Sequence, residues 1–599
     1  MKAFLMDVYH HGKVKFKLVQ FNFLTLLIFE ALYTLVGTEI IYPGSFFLFD
    51  QVMHQLGFAF ISDANISQVL TNPLCLLTIL VLLLILGFYG LFELTTLIVL
   101  FNESHFKRNV GLIPLCQKSF ERALHIVKPR NFPLIIFVLI IIPFTKFSLA
   151  SSFVSEVSIP DYLMAHIFAS PMLTLAYYAV IIVLFLMVLF GIFSLHYFTL
   201  ADNDFLAAIK KSRSLINGHF WHTTFWVAFW NGAILLTLLL LFSLFEVFAY
   251  FVLGQLLENT LALSVFIGGF GFFVSALFTT FHLIETAITF ALVSMFYYDY
   301  SERAHLEVPS TALIQTKKPF IARKKSFISL SIVAILVIVA HSSTIIFNNF
   351  NETFNAHFIA GPQIIAQSSP STPTTLITLQ QAIDDGADGA ELNVAQTKDG
   401  VLVVAAPTIK STAGETITIG AATVDELTSL GVITLSDALL FSKDKLKLNL
   451  QLDPTEDDAN LVAAVIAAIH QTNSRDQCLL ASMDYPTLEQ VAVVDPQLKR
   501  VYVTSVAMGK IQTLPVDALS IEASFISPGM VTAIHGEYKE IFAWTVNSEK
   551  SLTEMVHFGV DNIITNDVSQ AKKVVAHLTE PRELIDQIND FLFKDIVLE

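Results

Sequence analysis

The chain has 599 residues, 54% of them hydrophobic and only 14% charged, with mean hydropathy +0.64. A soluble protein of this length carries nearly twice that charged share, so a wholly soluble globule is excluded. The net charge of −16 sits at one end: from residue 350 onward about 15 Lys and Arg stand against 33 Asp and Glu, which argues against nucleic acid or anionic lipid head groups as the main partner of that part.

About 20 apolar residues cross a bilayer as a helix. Seven segments qualify: 18–41, 73–100, 132–154, 169–198, 223–251, 262–297 and 327–346. The first lacks a small-residue cleavage site and reads as a retained span. The sixth is too long for one straight crossing, so it is tilted, extended or partly re-entrant. Basic residues cluster in alternate loops. Lys13, Lys15 and Lys17 precede the first span, and Lys107, Arg108, Lys118, Arg122, Lys128 and Arg130 follow the second. Lys210, Lys211 and Arg213 follow the fourth, and Lys317, Lys318, Arg323, Lys324 and Lys325 precede the seventh. With seven spans and a cytoplasmic N-terminus, all four loops fall inside and the C-terminal part falls outside the cell membrane.

Two of these loops look alike. Leu115-Cys-Gln-Lys-Ser-Phe-Glu-Arg and Ala208-Ile-Lys-Lys-Ser-Arg-Ser-Leu each precede a span. Each is expected to form a basic amphipathic helix at the inner membrane face, and together they point to an internal duplication. Within the spans, Glu30, Glu93, Glu246, His282 and Glu285 are costly unless paired or lining a polar path. His282 and Glu285 share a helix face. Gly268, Gly269 and Gly271 read as a close-packing stripe, and Trp221, Trp226 and Trp230 as interfacial anchors and lipid-facing bulk. Cys75, Cys116 and Cys478 offer no disulfide framework or zinc spacing.

After residue 360 the pattern changes to short strands alternating with amphipathic helices. Val401–Val404, Leu446–Leu452 and Glu540–Trp544 read as strands; Leu461–Ala468, Leu488–Val493 and Leu552–Phe558 read as helices. Such alternation over about 220 residues predicts a parallel α/β sheet, either an eight-stranded (β/α) barrel or a doubly wound sheet. The expected division is a polytopic membrane domain of about seven helices at 1–346, a linker at 347–361, the α/β domain at 362–580 and a tail helix at 581–599.

Ile364-Ile-Ala366, Gly386-Ala-Asp-Gly-Ala-Glu-Leu-Asn-Val394, Thr397-Lys-Asp-Gly-Val-Leu-Val-Val404, Ser482-Met-Asp-Tyr485, Trp544-Thr-Val-Asn547 and Gly559-Val-Asp-Asn-Ile-Ile-Thr565 follow one another in a known order. In this the segment resembles the glycerophosphodiester phosphodiesterase family, and the apolar half resembles the membrane region carried by some bacterial members. The resemblance implies a TIM-type barrel and phosphodiester hydrolysis, with two histidines as acid and base and Ca²⁺ or Mg²⁺ held by carboxylates. Those residue types suit the chemistry: a metal neutralises developing charge on an anionic ester, and imidazoles move protons near neutral pH.

Aligned on that pattern, the chain departs from it at the reactive positions. Gln367, Ser368 and Ser369 replace a His-Arg-Gly triplet, and Ala406 and Pro407 replace a His-Asp pair. The metal pair of a Glu-Leu-Asp motif becomes Glu391 with Asn393; Gln451 and Asp453 stand for a Glu and a Lys. Loss of a single general acid or base costs about 10²–10⁴ in rate. A lone carboxylate makes a weak cation site, so no cofactor is expected. Glu391 is expected to be hydrogen-bonded to Asn393 or Gln451, while Asp453, Trp544 and Asn547 are pocket candidates. His470, His535 and His557 match no catalytic position and read as surface histidines. These departures predict an inactive, membrane-anchored descendant that binds an envelope component, a glycerophosphate-containing polymer or a membrane protein partner. The alternatives are an active phosphodiesterase of lipid or teichoic-acid metabolism using other residues, and a lipid or polymer transport module with an external sensor.

Overall fold

A computed structural model describes residues 17–145, 164, 167–168, 170–201, 204–256, 260–310, 332, 335–336, 339, 343, 361–367, 374–410, 416–452 and 460–579. The seventh expected span, the linker and the tail helix lie almost wholly outside the described residues, as does the C-terminal part of the third span.

The N-terminal half is helical. α1 (Phe23–Val36) passes through a π-helical turn at Gly37–Ile41 into α2 (Tyr42–Gln55), so the first apolar helix runs to Gln55 rather than ending at residue 41. β1 (Phe60–Ile61) and α3 (Ile66–Thr71) lead into α4 (Pro73–His105). Pro73 opens α4 without losing a needed N–H, and Asn72 Oδ1 caps it by accepting from Leu74 N at 2.9 Å. Next come α5 (Leu112–Ala123), α6 (Phe132–Thr145), α7 (Pro171–Phe190), α8 (Ser194–Ala201), α9 (Phe205–Ile216), α10 (Phe220–Leu256) and α11 (Thr260–Arg303). Phe23–Gln55, Pro73–His105 and Pro171–Ala201 are, among the described residues, three helices long and apolar enough to cross a membrane. The sixth expected segment is one continuous helix of 44 residues. At 1.5 Å per residue it measures about 66 Å, twice a hydrocarbon core, and its unbroken course removes the re-entrant form. Its C-terminal half packs Phe290, Phe296, Tyr297 and Tyr300 into the helical core, where His196 Nε2 meets Ser294 Oγ at 2.8 Å.

The two similar basic loops are both 12-residue helices, α5 and α9. Ser119 and Ser212 occupy the same place in the two motifs and are both fully buried. The carbonyl of Ser119 accepts from Thr95 Oγ1 at 3.4 Å, and Ser212 Oγ donates to Phe190 O at 2.8 Å. Each motif thus fastens to the span before it. Two expectations change here. Trp226 is buried in the helical core rather than lipid-facing, while Trp221 is exposed. A side chain at Gly269 would meet open space, so that position does not need a small residue for close packing. The close approach is at Gly191, where an added Cβ would lie 2.6 Å from the Phe137 ring.

The C-terminal domain is a closed barrel. Its strands are β2 (Gln363–Ala366), β3 (Gly389–Gln396), β7 (Lys447–Leu452), β8 (Cys478–Ser482), β9 (Lys499–Thr504), β11 (Ala518–Glu522), β12 (Glu540–Trp544) and β13 (Asn562–Thr565). Each pairs in parallel with the next, and β13 closes onto β2. Closure removes the doubly wound alternative. β4 (Leu402–Val404) runs antiparallel beside β3, followed by a hairpin of β5 (Thr408–Lys410) and β6 (Thr416–Thr418). Helices α12 (Leu376–Asp384), α13 (Val424–Thr428), α14 (Leu435–Phe441), α15 (Leu461–Gln471), α16 (Tyr485–Val494), α17 (Pro528–Gly536), α18 (Glu549–Phe558) and α19 (Val568–Thr579) accompany the strands. Between β9 and β11 there is no α-helix, only β10 (Met508–Gly509) and a 3₁₀ turn at Ile511–Thr513.

Alternation along the strands sorts the side chains. Leu448, Leu450 and Leu452 of β7, with Leu392, Leu480, Leu519, Ile541 and Ile563, form the core between strands and helices. Ile365, Ala481, Val501, Val503, Phe542 and Ile564 fill the barrel interior. His470 and His535, as expected, are surface groups, and both are paired with carboxylates: His470 Nε2 with Asp495 Oδ2 at 2.8 Å, His535 Nε2 with Asp561 Oδ2 at 3.0 Å.

Asp495 also accepts from Arg475 and from Gln497 N. Burial opposes its charge, but these hydrogen bonds outweigh it and hold the carboxyl below its ordinary value. A depressed carboxyl pKa stabilises the fold above its unfolded value near 3.9, and that stability is lost as pH falls through the folded value. Asp495→Asn should therefore lower the thermal midpoint of the barrel at pH 7, with the deficit shrinking below about pH 4. Reaction of the buried Cys478 thiol with a maleimide during heating of the full chain reports the unfolding.

Candidate functional site in the barrel mouth

In parallel barrels the C-terminal strand ends carry the ligand site. β3 and β7 pair in register, Glu391 opposite Asn449 and Asn393 opposite Gln451. Their even-numbered neighbours Leu392, Val394, Leu448, Leu450 and Leu452 belong to the outer core, so these four polar residues face inward. Glu391 is 8% exposed, and its Oε2 accepts from Asn449 Nδ2 at 3.4 Å. A hydrogen bond to Glu391 thus comes from its cross-strand neighbour Asn449, a residue that the sequence reading did not name beside Asn393 and Gln451. Asn449 was legible as the inward member of the Leu-Asn-Leu-Gln-Leu alternation.

The other expected positions divide. Gln367 lies at the end of β2, its N–H bound to Thr565 O at 2.9 Å. Ala406 and Pro407 lead from β4 into the hairpin, where Pro407 O accepts from Ile419 N at 3.0 Å. The hairpin packs Ala405, Ile409 and Ile419 into a small core of their own, which makes this a structural turn. Trp544 ends β12, half-buried against the interior cluster. Asn547, a pocket candidate, fixes the end of β13: its Oδ1 accepts from Thr565 Oγ1 at 3.1 Å and Asn566 N at 2.9 Å. Ser368, Ser369 and Asp453 lie outside the described residues. A second inward carboxylate, Glu522, is fully buried at the end of β11 and caps the following turn by accepting from Ser524 N at 2.9 Å. No sequence signal marked it.

These residues do not fit a divalent cation. Among the described residues no group of three or more His, Cys, Asp or Glu side chains converges. Glu391 Oε2 accepts from the Asn449 amide, and Glu522 Oε2 accepts from the N–H and hydroxyl of Ser524. Calcium or magnesium sites need several anionic or carbonyl oxygens at about 2.0–2.6 Å.

In the helical half, Glu30 and Glu93 come together. Both are buried between α1 and α4 and near enough to interact electrostatically, beside Tyr33, whose hydroxyl donates to Tyr89 O at 3.3 Å and whose ring stacks on that of Tyr89 at 4.2 Å between centroids. Glu246, His282 and Glu285 fall on helical backbone, and their side chains lie outside the described ones.

The loop between α2 and α4 reaches the barrel, which the sequence did not signal. β1 pairs antiparallel with β10, Phe60 opposite Gly509 and Ile61 opposite Met508, and Lys510 N donates to Ala59 O at 3.1 Å. Tyr502 OH donates to the buried Ser62 Oγ at 3.1 Å. The Asp63 carboxylate is cradled at the end of β9 by Thr504 Oγ1 at 3.0 Å and by the N–H and hydroxyl of Ser505. Apolar residues are exchanged across the contact. Phe60 packs on the barrel core, and Val506 packs on Met53, Ile61, Val69 and Cys75 of the helical half. Gly509 has φ +83°, and an added Cβ would lie 3.0 Å from Ala59 O.

An eight-stranded parallel barrel joined to apolar, membrane-length helices and carrying polar side chains on the inward faces of two adjacent strands defines the architecture. The membrane domain of glycerophosphoryl diester phosphodiesterase matches residues 13–341, more than half of the chain, and the glycerophosphoryl diester phosphodiesterase family matches residues 368–570. The chain belongs to this family, in the form that carries its membrane domain. It is 26% identical over 218 residues to a glycerophosphodiester phosphodiesterase of Caldanaerobacter subterraneus, covering 32% of this chain and 88% of that protein. It is 24% identical over 223 residues to one of Bacillus altitudinis, covering 33% and 91%. Among solved structures, an Oleispira antarctica phosphodiesterase in complex with the product sn-glycerol-3-phosphate matches at 21% identity and TM-score 0.32, covering 37% of this chain and 98% of that one. A Parabacteroides distasonis glycerophosphodiester phosphodiesterase matches at 20% and 0.32, covering 36% and 99%.

Gly509→Val should open the contact between the loop and the barrel, because the new side chain meets both the strained φ and the Ala59 carbonyl. Faster amide hydrogen exchange at Phe60, Ile61 and Lys510, with exchange in β3 and β7 unchanged, is the expected result.

Proposed function

We propose that this protein is a membrane-anchored, non-catalytic member of the family, whose barrel recognises an envelope component. The observation that carries the reading is the in-register patch of Glu391, Asn393, Asn449 and Gln451: one carboxylate and three amides on adjacent strands. Amides keep the shape and hydrogen bonding of carboxylates without their charge. Clustered carboxylates without a cation repel and raise one another's pKa, and the amides relieve this. Gln367 and Ala406 at the proton-transfer positions supply no group that titrates near neutrality. The patch is suited to hydrogen-bonding the hydroxyls of a polyol portion of its ligand.

The barrel is proposed to lie outside the cell. Support comes from two sides of one helix. The basic residues Lys107, Arg108, Lys118, Arg122, Lys128 and Arg130 follow the C-terminal end of α4, which argues for a cytoplasmic end there. The loop at the other end of α4 is the one that holds the barrel. This argument does not depend on how many further spans the chain has. A second reading, a transport module with the barrel as sensor, is favoured by the buried Glu30 and Glu93 pair, since intramembrane carboxylates mark polar paths.

Full-length protein in nanodiscs, supplied with glycerophosphocholine or glycerophosphoglycerol and Ca²⁺ or Mg²⁺, is expected to release no glycerol 3-phosphate above a protein-free control. Metal-dependent release that disappears in Glu391→Ala refutes the non-catalytic reading.

A further inference from the structure

The barrel atoms that the loop grips lie at and just beyond the C-terminal end of β9, from Tyr502 to Lys510. That is the end at which Asn393, Gln451 and Trp544 also emerge. The loop itself is held close to the membrane helices. Phe58 N turns back to Met53 O at 2.9 Å, so the chain has scarcely left α2 before it pairs with β10. Val506, two residues past β9, touches the same apolar cluster as Met53 of α2 and Cys75 of α4. The mouth side of the barrel is thus fastened to the ends of two apolar helices.

Charge does not draw the barrel there. With about 15 basic residues against 33 acidic ones, the chain beyond residue 350 is repelled by an anionic surface. Its position depends on specific contacts: the β1–β10 pairing, the exchanged Phe60 and Val506, and the cradle around Asp63. Because both partners belong to one chain, their effective concentration is on the order of millimolar, and contacts weak between separate molecules suffice.

We propose that this latch holds the barrel with its mouth at the bilayer surface, and that the ligand of the mouth is the uncharged, hydroxyl-rich head group of an amphiphile anchored in that same bilayer. The inward amides of Asn393 and Gln451 both donate and accept hydrogen bonds, as hydroxyls do. Glu391 accepts only, and its charge disfavours an anionic group beside it. The half-buried Trp544 adds an aromatic surface at the same rim. The ligand class rests on the binding role proposed above, whereas the orientation does not.

The orientation is tested with single fluorescent labels on full-length protein in nanodiscs containing a lipid with a quencher on its head group. Gly529, exposed near the start of α17 on the mouth side of β11, has open space for a side chain. Asp476, exposed just before β8, lies at the opposite end of the barrel. Labels are placed at Gly529→Cys or Asp476→Cys with Cys116→Ser, since Cys75 and Cys478 are buried. Quenching several-fold stronger at position 529 is expected, and this difference should collapse in Gly509→Val. Equal quenching, stronger quenching at 476, or a difference that survives Gly509→Val overturns the latch-held orientation.

The ligand class is tested by hydrogen exchange in β3 and β7. Nanodiscs containing diglucosyl diacylglycerol should slow it relative to pure phosphatidylcholine, and phosphatidylglycerol should not. No slowing with the glycolipid, or slowing by phosphatidylglycerol alone, overturns the assignment. Phosphodiesterase activity in the assay above would overturn the non-catalytic reading while leaving the measured orientation intact.

Discussion

β3 and β7 run parallel and in register from Gly389 beside Lys447 to Val394 beside Leu452, and the two-residue period of a strand turns every second side chain into the barrel. Leucines and valines take the outward places against the helices. The inward places therefore fall to Glu391 and Asn393 on one strand and Asn449 and Gln451 on the other. Slipping either strand by one residue would bury these polar groups among the helices and turn leucines into the mouth. The hydrophobic pattern that closes the barrel thus also fixes the chemistry of its mouth.

In the proposed reading, that chemistry is the reverse of what phosphodiester hydrolysis requires. Developing negative charge on an anionic ester needs a cation or fixed positive groups nearby. The patch offers one carboxylate, satisfied by a neighbouring amide. A buried carboxylate bound in this way is tolerable because its hydrogen bond offsets part of the desolvation. Replacing the amides by acids without a metal would set like charges against one another across adjacent strands. In the proposed reading, the replacement of the histidines and of the carboxylates reflects a single change of role.

Much of the fold was legible from the sequence, and the reasons are physical. The Leu-Lys-Leu-Asn-Leu-Gln-Leu alternation at 446–452 and the continuous apolar segments are signals written in neighbouring residues. Alternation did not by itself distinguish a closed barrel from a doubly wound sheet, because closure is the single long-range pairing of β2 with β13. In the site, Glu391, Asn393 and Gln451 were found by motif, while Asn449 and Glu522 were missed, since neither stands in a motif. The 44-residue α11 appeared as an overlong span, and its buried end was hidden because aromatic residues read alike in lipid and in a protein core. The least legible feature was the latch. Phe60, Ser62 and Asp63 sit in an unremarkable loop, and their partners lie about 440 positions away. Local pattern carries no information about such a contact.

The latch also explains why β9 and β11 can be joined without a helix. The flank left open there is partly covered by Phe60 from the helical half, so the two halves complete one packing surface.

The central claim is that the barrel mouth holds no divalent cation. Calorimetric titration of the full-length protein in nanodiscs with Ca²⁺ and with Mg²⁺ tests it most directly, using Glu391→Ala as the comparison. The account predicts no saturable heat that distinguishes the two proteins. Stoichiometric binding present in the native chain and absent in Glu391→Ala would contradict it.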